Sequence, residues 1–185
     1  MNQVAPLAFG VALLALTAGG PGAEAQQNST AAATANAASI LSPVDYNFGA
    51  QANLGAPFQI DSGRIAEQKA TTGNIRAYAD LMVTSHGPVV AALNTVLEQK
   101  RITAPPETLL QGAYAAMIAS LKADTGAALD RDYVEGQVEY QKGNAALFRY
   151  EIQNGTDPEL KAFAQRTLPK IEDHLQRALK LAKSS

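Results

Sequence analysis

Two histidines are the side chains of this sequence whose chemistry stands out. His86 and His174 are the only histidines in the chain, and both fall among apolar residues at helical spacing. Gln59 and Gln141 occupy similar inner positions on two other predicted helices. If those four helices pack side by side, the four side chains could converge at one level of the interior. The sequence therefore predicts a buried polar centre built from two imidazoles and two amides.

A metal site is one interpretation of this centre, with His86 and His174 as ligands and Gln141 and Gln59 as weak additional ones. Imidazole binds zinc, copper or iron well, whereas a neutral amide oxygen is a poor ligand. Zinc sites usually need three or four good donors. We therefore expect no tightly bound cofactor, and at most weakly bound zinc or a similar metal.

Two other interpretations of the polar centre stay open. The four side chains can form a hydrogen-bonded core that fixes helix register, completed by a buried water. This is the simplest interpretation, because it needs no ligand. The third interpretation is a small-ligand or proton-linked role.

Complete catalytic sets are missing from the sequence. A di-iron carboxylate site needs Glu-x-x-His on two helices, but Val83 and Ile171 stand three residues before the two histidines. Ser85 adjoins His86, and neighbours along a helix are not expected to face each other. The other acids near these positions are interpreted as solvated: Asp80, Glu135, Glu139, Glu172 and Asp173. We therefore expect that the protein is not an enzyme.

The helices that must position these residues can be placed from periodicity and end signals. Ser42 and Asp157 are predicted N-caps, each followed by a proline at the first helical position. Four long helices and one shorter helix are predicted, at about 42–71, 74–101, 107–121, 127–154 and 156–182. The shorter one, 107–121, lies in the long connection between the second and third long helices.

Two interruptions are expected inside these helices. Gly55 and Pro57 should kink or break the first long helix, and Gly87-Pro88 should bend the second just after His86. Tight links within each helix pair and one long connection between the pairs describe an all-α protein. The architecture predicted is a ferritin-like four-helix bundle with a short extra helix in the crossover.

Composition and charge limit the kinds of partner. The chain has 185 residues, enough for one domain with a sizeable core. Its formal net charge is -2, so no basic field indicates a nucleic-acid partner. There is no cysteine, which excludes disulfides and thiolate metal sites. The partner itself stays open, with envelope association or a homo-oligomer as alternatives.

The first 25 residues have the pattern of a secretory signal peptide. An apolar segment, 6–17, is too short to span a bilayer, and cleavage is expected after Ala25. The segment before it lacks lysine and arginine, which leaves the true start codon open. Residues 26–41 are polar and alanine-rich, and are predicted to be a flexible leader before the domain at 42–185. We therefore expect a periplasmic or secreted protein, with no transmembrane helix in the mature chain.

Several stretches resemble a family of exported bacterial proteins described as domain of unknown function DUF4142, whose members are sometimes labelled outer-membrane proteins. The strongest stretch is DPELKAFAQRTLPKIEDHL at 157–175. MVTSH at 82–86 is similar to the family's Met-Val-x-Asp-His, and GRIAEQKA at 63–70 and TGAALDRDYVEGQV at 125–138 also match. The resemblance covers Asp45 to Ala182. It implies a ferritin-like four-helix fold and no established enzymatic activity.

The chain departs from the family pattern at the inner polar positions. Family members often carry Glu where this chain has Gln59, Asp at Ser85 and His at Gln141, so only His86 and His174 match. The resemblance implies that a family metal site, if there is one, is half retained here. We therefore predict an exported, non-catalytic four-helix-bundle protein, a structural or binding protein of the envelope or a stress-related one. The alternative is a weak or degenerate transition-metal-binding protein that uses the core histidines.

Overall fold

A computed structural model describes residues 41–100 and 112–184 of the chain. Across these residues the backbone forms five α-helices and no strand, which confirms the all-α class. The helices are α1 Pro43–Lys69, α2 Gly73–Gln99, α3 Ala113–Ala123, α4 Gly126–Asn154 and α5 Pro158–Ala182. The predicted signal peptide, the predicted leader up to residue 40 and the start of the short helix at 107–111 lie outside the described residues.

The predicted helix starts are confirmed by their hydrogen bonds. The Ser42 hydroxyl accepts a hydrogen bond from the backbone N–H of Asp45 at 3.2 Å. At the start of α5, Oδ1 of Asp157 accepts from the N–H groups of Glu159 and Leu160, both at 3.0 Å. Each bond satisfies a backbone donor that the first helical turn leaves free.

Gly55 and Pro57 were predicted to kink or break the first helix; the break does not occur, because α1 runs unbroken over 27 residues. A proline removes one backbone hydrogen bond, but Ala56 and Phe58 on either side are both buried, so packing holds the helix together. Gly55 has a different role. A Cβ atom there would lie 2.1 Å from the Tyr140 hydroxyl, so the missing side chain lets α4 approach α1.

The four long helices pack in a closed ring of pairs. The links at 70–72 and 155–157 are short, so α1 lies antiparallel to α2, and α4 lies antiparallel to α5. Between these two pairs, α1 packs on α4 and α2 packs on α5. The short helix α3 lies against α1 and α4.

Two apolar clusters lie toward opposite ends of the bundle, with the two histidines between them. One apolar cluster lies near the 70–72 link and includes Ile75, Tyr78, Met82, Leu129, Tyr133 and Ala178. The other lies near the 155–157 link and includes Phe48, Leu93, Phe148, Leu160, Phe163 and Ile171. His86 and His174 fall between these clusters along α2 and α5. Among the described residues, no helix combines the length and apolar character that a membrane span requires.

Candidate functional site

The two histidines meet in the interior. Their ring centroids are 5.5 Å apart, with the ring planes inclined at 41°. His86 is 8% exposed and His174 is 3% exposed. Because α2 and α5 pack directly on each other, the two rings face across a helix–helix contact. The prediction that both point into the shared interior is therefore confirmed.

A backbone carbonyl fixes the His86 ring. Nδ1 lies 2.8 Å from the carbonyl oxygen of Met82, one helical turn earlier. A carbonyl can only accept, so Nδ1 carries the hydrogen and the lone pair is on Nε2. A histidine held in this way presents Nε2 to whatever lies in front of the ring, as metal-ligating histidines commonly do.

Ser85 and His86 do come close, contrary to the expectation that they would not face each other. The Ser85 hydroxyl oxygen lies 3.3 Å from Nδ1 of His86. However, Nδ1 donates its hydrogen to Met82 and has no lone pair with which to take the proton of Ser85. The contact therefore does not make Ser85 a nucleophile activated by His86.

The backbone of His174 is bonded to α2, whereas Nδ1 of its ring is unpartnered among the described residues. The Tyr78 hydroxyl, from α2, donates a hydrogen bond of 3.2 Å to the backbone carbonyl of His174. The Nδ1 atom of His174 is buried and has no hydrogen-bond partner among the described residues. An unpartnered ring nitrogen in the interior is available to a water or an ion.

Both rings line one small cavity, to which all four long helices contribute. Its volume is about 30 Å³. That is room for about one water or one ion, whereas pockets for organic ligands are roughly 300–1,000 Å³. The wall is mostly apolar, and its polar members besides the histidines and Tyr140 are Asn144, Thr167 and Lys170.

The cavity environment favours neutral imidazoles. Burial lowers the pKa of His86 below its ordinary value, and the nearby charge of Lys170 lowers it further. Burial also lowers the pKa of His174 to about 4, and His86, Lys170 and Arg177 add to the effect against the opposing charge of Asp173. Both rings therefore hold lone pairs at neutral pH, but a lysine ammonium group beside them opposes a bound cation.

The two glutamines are buried but do not share this cavity. Gln59 and Gln141 are both 0% exposed, and neither is among the residues that line the cavity. Nε2 of Gln141 lies 3.5 Å from the sulfur of Met82, and Oε1 has no hydrogen-bond partner among the described residues. The side chain of Gln59 has no partner there either.

The structure therefore brings His86 and His174 together without Gln59 and Gln141, and the metal role of all four stays a prediction. Within the described parts of the chain, no group of three histidine or acidic side chains is placed to hold a metal ion. Gln137, which was not predicted as an inner polar residue, donates from Nε2 to the Ser62 hydroxyl at 3.1 Å. Gln137 lies one helical turn before Gln141 and therefore on the same helix face, which was the sequence signal for its inner position.

A second buried polar group was also missed, at the link between α4 and α5. Asp45, from α1, is 0% exposed and accepts hydrogen bonds from the N–H groups of Thr156 and Asp157, at 2.9 and 3.0 Å. Glu151, on α4, is also 0% exposed. The signal for Glu151 was its place one turn after Phe148, among apolar residues of the inner face. Asp157 forms an ion pair of 2.7 Å with Lys100.

The link between α1 and α2 is held in a similar way. Asp130, from α4, is 5% exposed and accepts from the Thr71 N–H at 2.9 Å and from the Thr71 hydroxyl. Each short link is therefore tied by a buried aspartate that belongs to the other helix pair.

The chain matches a known protein family. The family model described as domain of unknown function DUF4142 matches residues 29–181 of this chain. No curated protein and no solved structure matches it.

Proposed function

The chain belongs to the DUF4142 family, a domain of unknown function, so its family supplies no activity. We propose that it is an exported, non-catalytic protein, with export argued from the signal-peptide pattern of residues 1–25 and the non-catalytic role from the geometry of the histidine site. In this proposal the domain is a ferritin-like four-helix bundle that acts as a structural or binding protein in the periplasm, at the envelope or outside the cell. Short links within each helix pair and a long connection between Gln99 and Ala113 support that architecture.

The size of the histidine cavity carries the proposal. A volume of about 30 Å³ suits a water or an ion and is far below the roughly 300–1,000 Å³ of pockets for organic ligands. Nδ1 of His86, the ring nitrogen that lies near the Ser85 hydroxyl, already donates its hydrogen to the carbonyl oxygen of Met82. His86 and His174 can join α2 to α5 through a water or an ion bound between their rings. Such a bridge fixes the register of the two helices, which is a structural role.

Weak binding of a transition metal is the second candidate, and the ring separation favours it. Zinc lies about 2.0–2.1 Å from an imidazole nitrogen, so two imidazoles on one ion have centroids about 5–6 Å apart, and His86 and His174 are 5.5 Å apart. With two good donors and the charge of Lys170 nearby, we expect a dissociation constant of roughly micromolar or weaker, compared with sites that have three or four donors.

A zinc-dependent thermal shift of untagged protein at pH 7.5 separates the two candidates. For a structural pair, zinc chloride leaves the melting temperature of the wild-type protein unchanged. For a metal site, zinc raises it, His174→Gln abolishes the shift, and Lys170→Gln enlarges the shift because a repelling charge is gone. Lys180→Gln is the matched control, because it removes a lysine of the same helix that does not line the cavity. A wild-type shift that is lost in His174→Gln would overturn the metal-free proposal.

A further inference from the structure

The buried carboxyl group of Glu151 lacks a donor. No N–H or O–H group of the described residues donates to either of its oxygens, and the group that it faces is the carboxyl of Asp45. A buried ionised carboxylate without a hydrogen bond is strongly unfavourable. Two ionised carboxylates in contact would be still more unfavourable, because their like charges repel. One of the two carboxyl groups must therefore hold a proton.

Asp45 cannot be the member that holds the proton. Its carboxylate accepts from the Ser42 hydroxyl at 2.5 Å, from the Thr156 N–H and hydroxyl at 2.9 and 2.7 Å, and from the Asp157 N–H at 3.0 Å. Burial opposes its ionisation, but these hydrogen bonds outweigh burial and hold the pKa of Asp45 below its usual range. The proton therefore belongs on Glu151, which then donates to Asp45.

Space around Glu151 leaves little room for a larger cation. A Cβ atom on Gly155 would lie 2.3 Å from Oε1 of Glu151, so the backbone of the link packs directly on this carboxyl. Lys100, the lysine paired with Asp157 at 2.7 Å, also pairs with Glu159 at 2.6 Å.

We propose that Glu151 and Asp45 share a proton, and that this carboxyl–carboxylate pair is a pH-sensitive latch on the α4–α5 link. When Glu151 loses the proton, two negative charges face each other beneath the link. Asp45 is the acceptor for the N–H groups of Thr156 and Asp157. Repulsion that displaces Asp45 therefore releases the backbone of the link and the first turn of α5.

The surrounding charges place the release near neutral pH. Burial raises the pKa of Glu151 from 4.5 to about 7, and the hydrogen bond to Asp45, the charge of Asp45 and that of Asp157 act in the same direction, against Lys161. Between pH 4.5 and about pH 7, the closed latch therefore binds more protons than the open one. It is tightest below pH 4.5, weakens as pH rises to about 7 and changes little above that.

Amide hydrogen exchange of Thr156 and Asp157, followed by NMR from pH 5 to 8, tests the latch. After correction for intrinsic exchange, the opening constant should rise up to about tenfold per pH unit as far as pH 7 and then level off. Glu151→Gln donates an amide N–H to Asp45 at every pH, so its opening constant should be flat. Glu139→Gln, an exposed change on the same helix, should keep the wild-type profile.

A direct titration covers the case in which Glu151→Gln fails to fold. The side-chain carboxyl ¹³C resonance of Glu151 in the wild-type protein should titrate near pH 7. Titration near 4.5, or a Glu151→Gln variant that keeps the wild-type exchange profile, would overturn the proposal. Titration near 7 together with a flat profile in the variant would support it.

Discussion

His174 and Glu151 are buried titratable residues whose protonation has opposite effects on stability. The pKa of His174 is lowered to about 4 by burial and its neighbours, so the unfolded chain takes up a proton before the folded one does. That contribution to stability is complete above about pH 6.5 and is lost as pH falls toward 4. Glu151 acts in the opposite sense over nearly the same range, because its raised pKa stabilises the protonated folded form at low pH. The two effects should largely offset each other between about pH 4.5 and 6.5.

Glu151→Gln should expose the histidine effect. Without the opposing carboxyl, lowering the pH from 7.5 to 5 should cost up to about 2 kcal/mol through His174, because pH 5 lies about 1.5 units below the ordinary histidine pKa of about 6.5. His86, whose pKa burial also lowers, adds to the loss. Urea unfolding at both pH values measures it. The wild-type protein should lose less free energy of unfolding than Glu151→Gln over the same pH interval. The double variant Glu151→Gln with His174→Gln should also lose less than Glu151→Gln. Equal losses in all three proteins would contradict this account.

What could be predicted at this scale was the face on which each residue lies. Helical spacing placed His86 and His174 inside, and their pairing followed from the packing of α2 on α5. Glu151 also lay on an inner stripe. Its partner Asp45, however, is more than a hundred residues away in sequence, and only the arrangement of α1 against the α4–α5 link brings the two carboxyl groups together. Spacing within one helix carries no information about such a contact.

At the scale of elements, the short links depend on aspartates from other helices more than on their own residues. Asp130, on α4, accepts the N–H and hydroxyl of Thr71 in the α1–α2 link. Helix ends were predictable because caps are local, and the Ser42 and Asp157 caps are both observed. The continuation of α1 through Pro57 was not predictable from the sequence, because it depends on how α1 packs on the neighbouring helices.

Asp130→Ala should cost about 1.5–3 kcal/mol, because it leaves the Thr71 N–H of the link without its charged acceptor. Asp132→Ala is the matched control, two residues along the same helix. Asp132 pairs with Arg131 at the surface, and an exposed pair of this kind contributes about 0–1 kcal/mol. The free energy of unfolding in urea compares the two variants. Similar losses for both would show that the Asp130 hydrogen bonds do not hold the link.

At the scale of the whole molecule, the open prediction concerns export. Residues 1–25 have the apolar segment and small-residue cleavage site of a signal peptide. We expect N-terminal sequencing of periplasmic or secreted material to begin at Gln26. Ala25→Asp should block cleavage there, since the site requires a small residue, whereas a change at Glu24, between the two small positions, should be tolerated. Retention of the whole chain in the cytoplasm with an uncleaved N-terminus would contradict export.

The reciprocal ties at the two links bear on how the chain folds. Asp45, from the α1–α2 pair, completes the α4–α5 link, and Asp130, from the α4–α5 pair, completes the α1–α2 link. In the folded protein, each helix pair therefore relies on the other pair for the acceptor that satisfies backbone N–H groups of its link. We therefore expect the two halves to fold cooperatively, with the native links completed by contacts between distant parts of the sequence. Cooperativity between the halves is thus a property of two aspartates as well as of the apolar core between them.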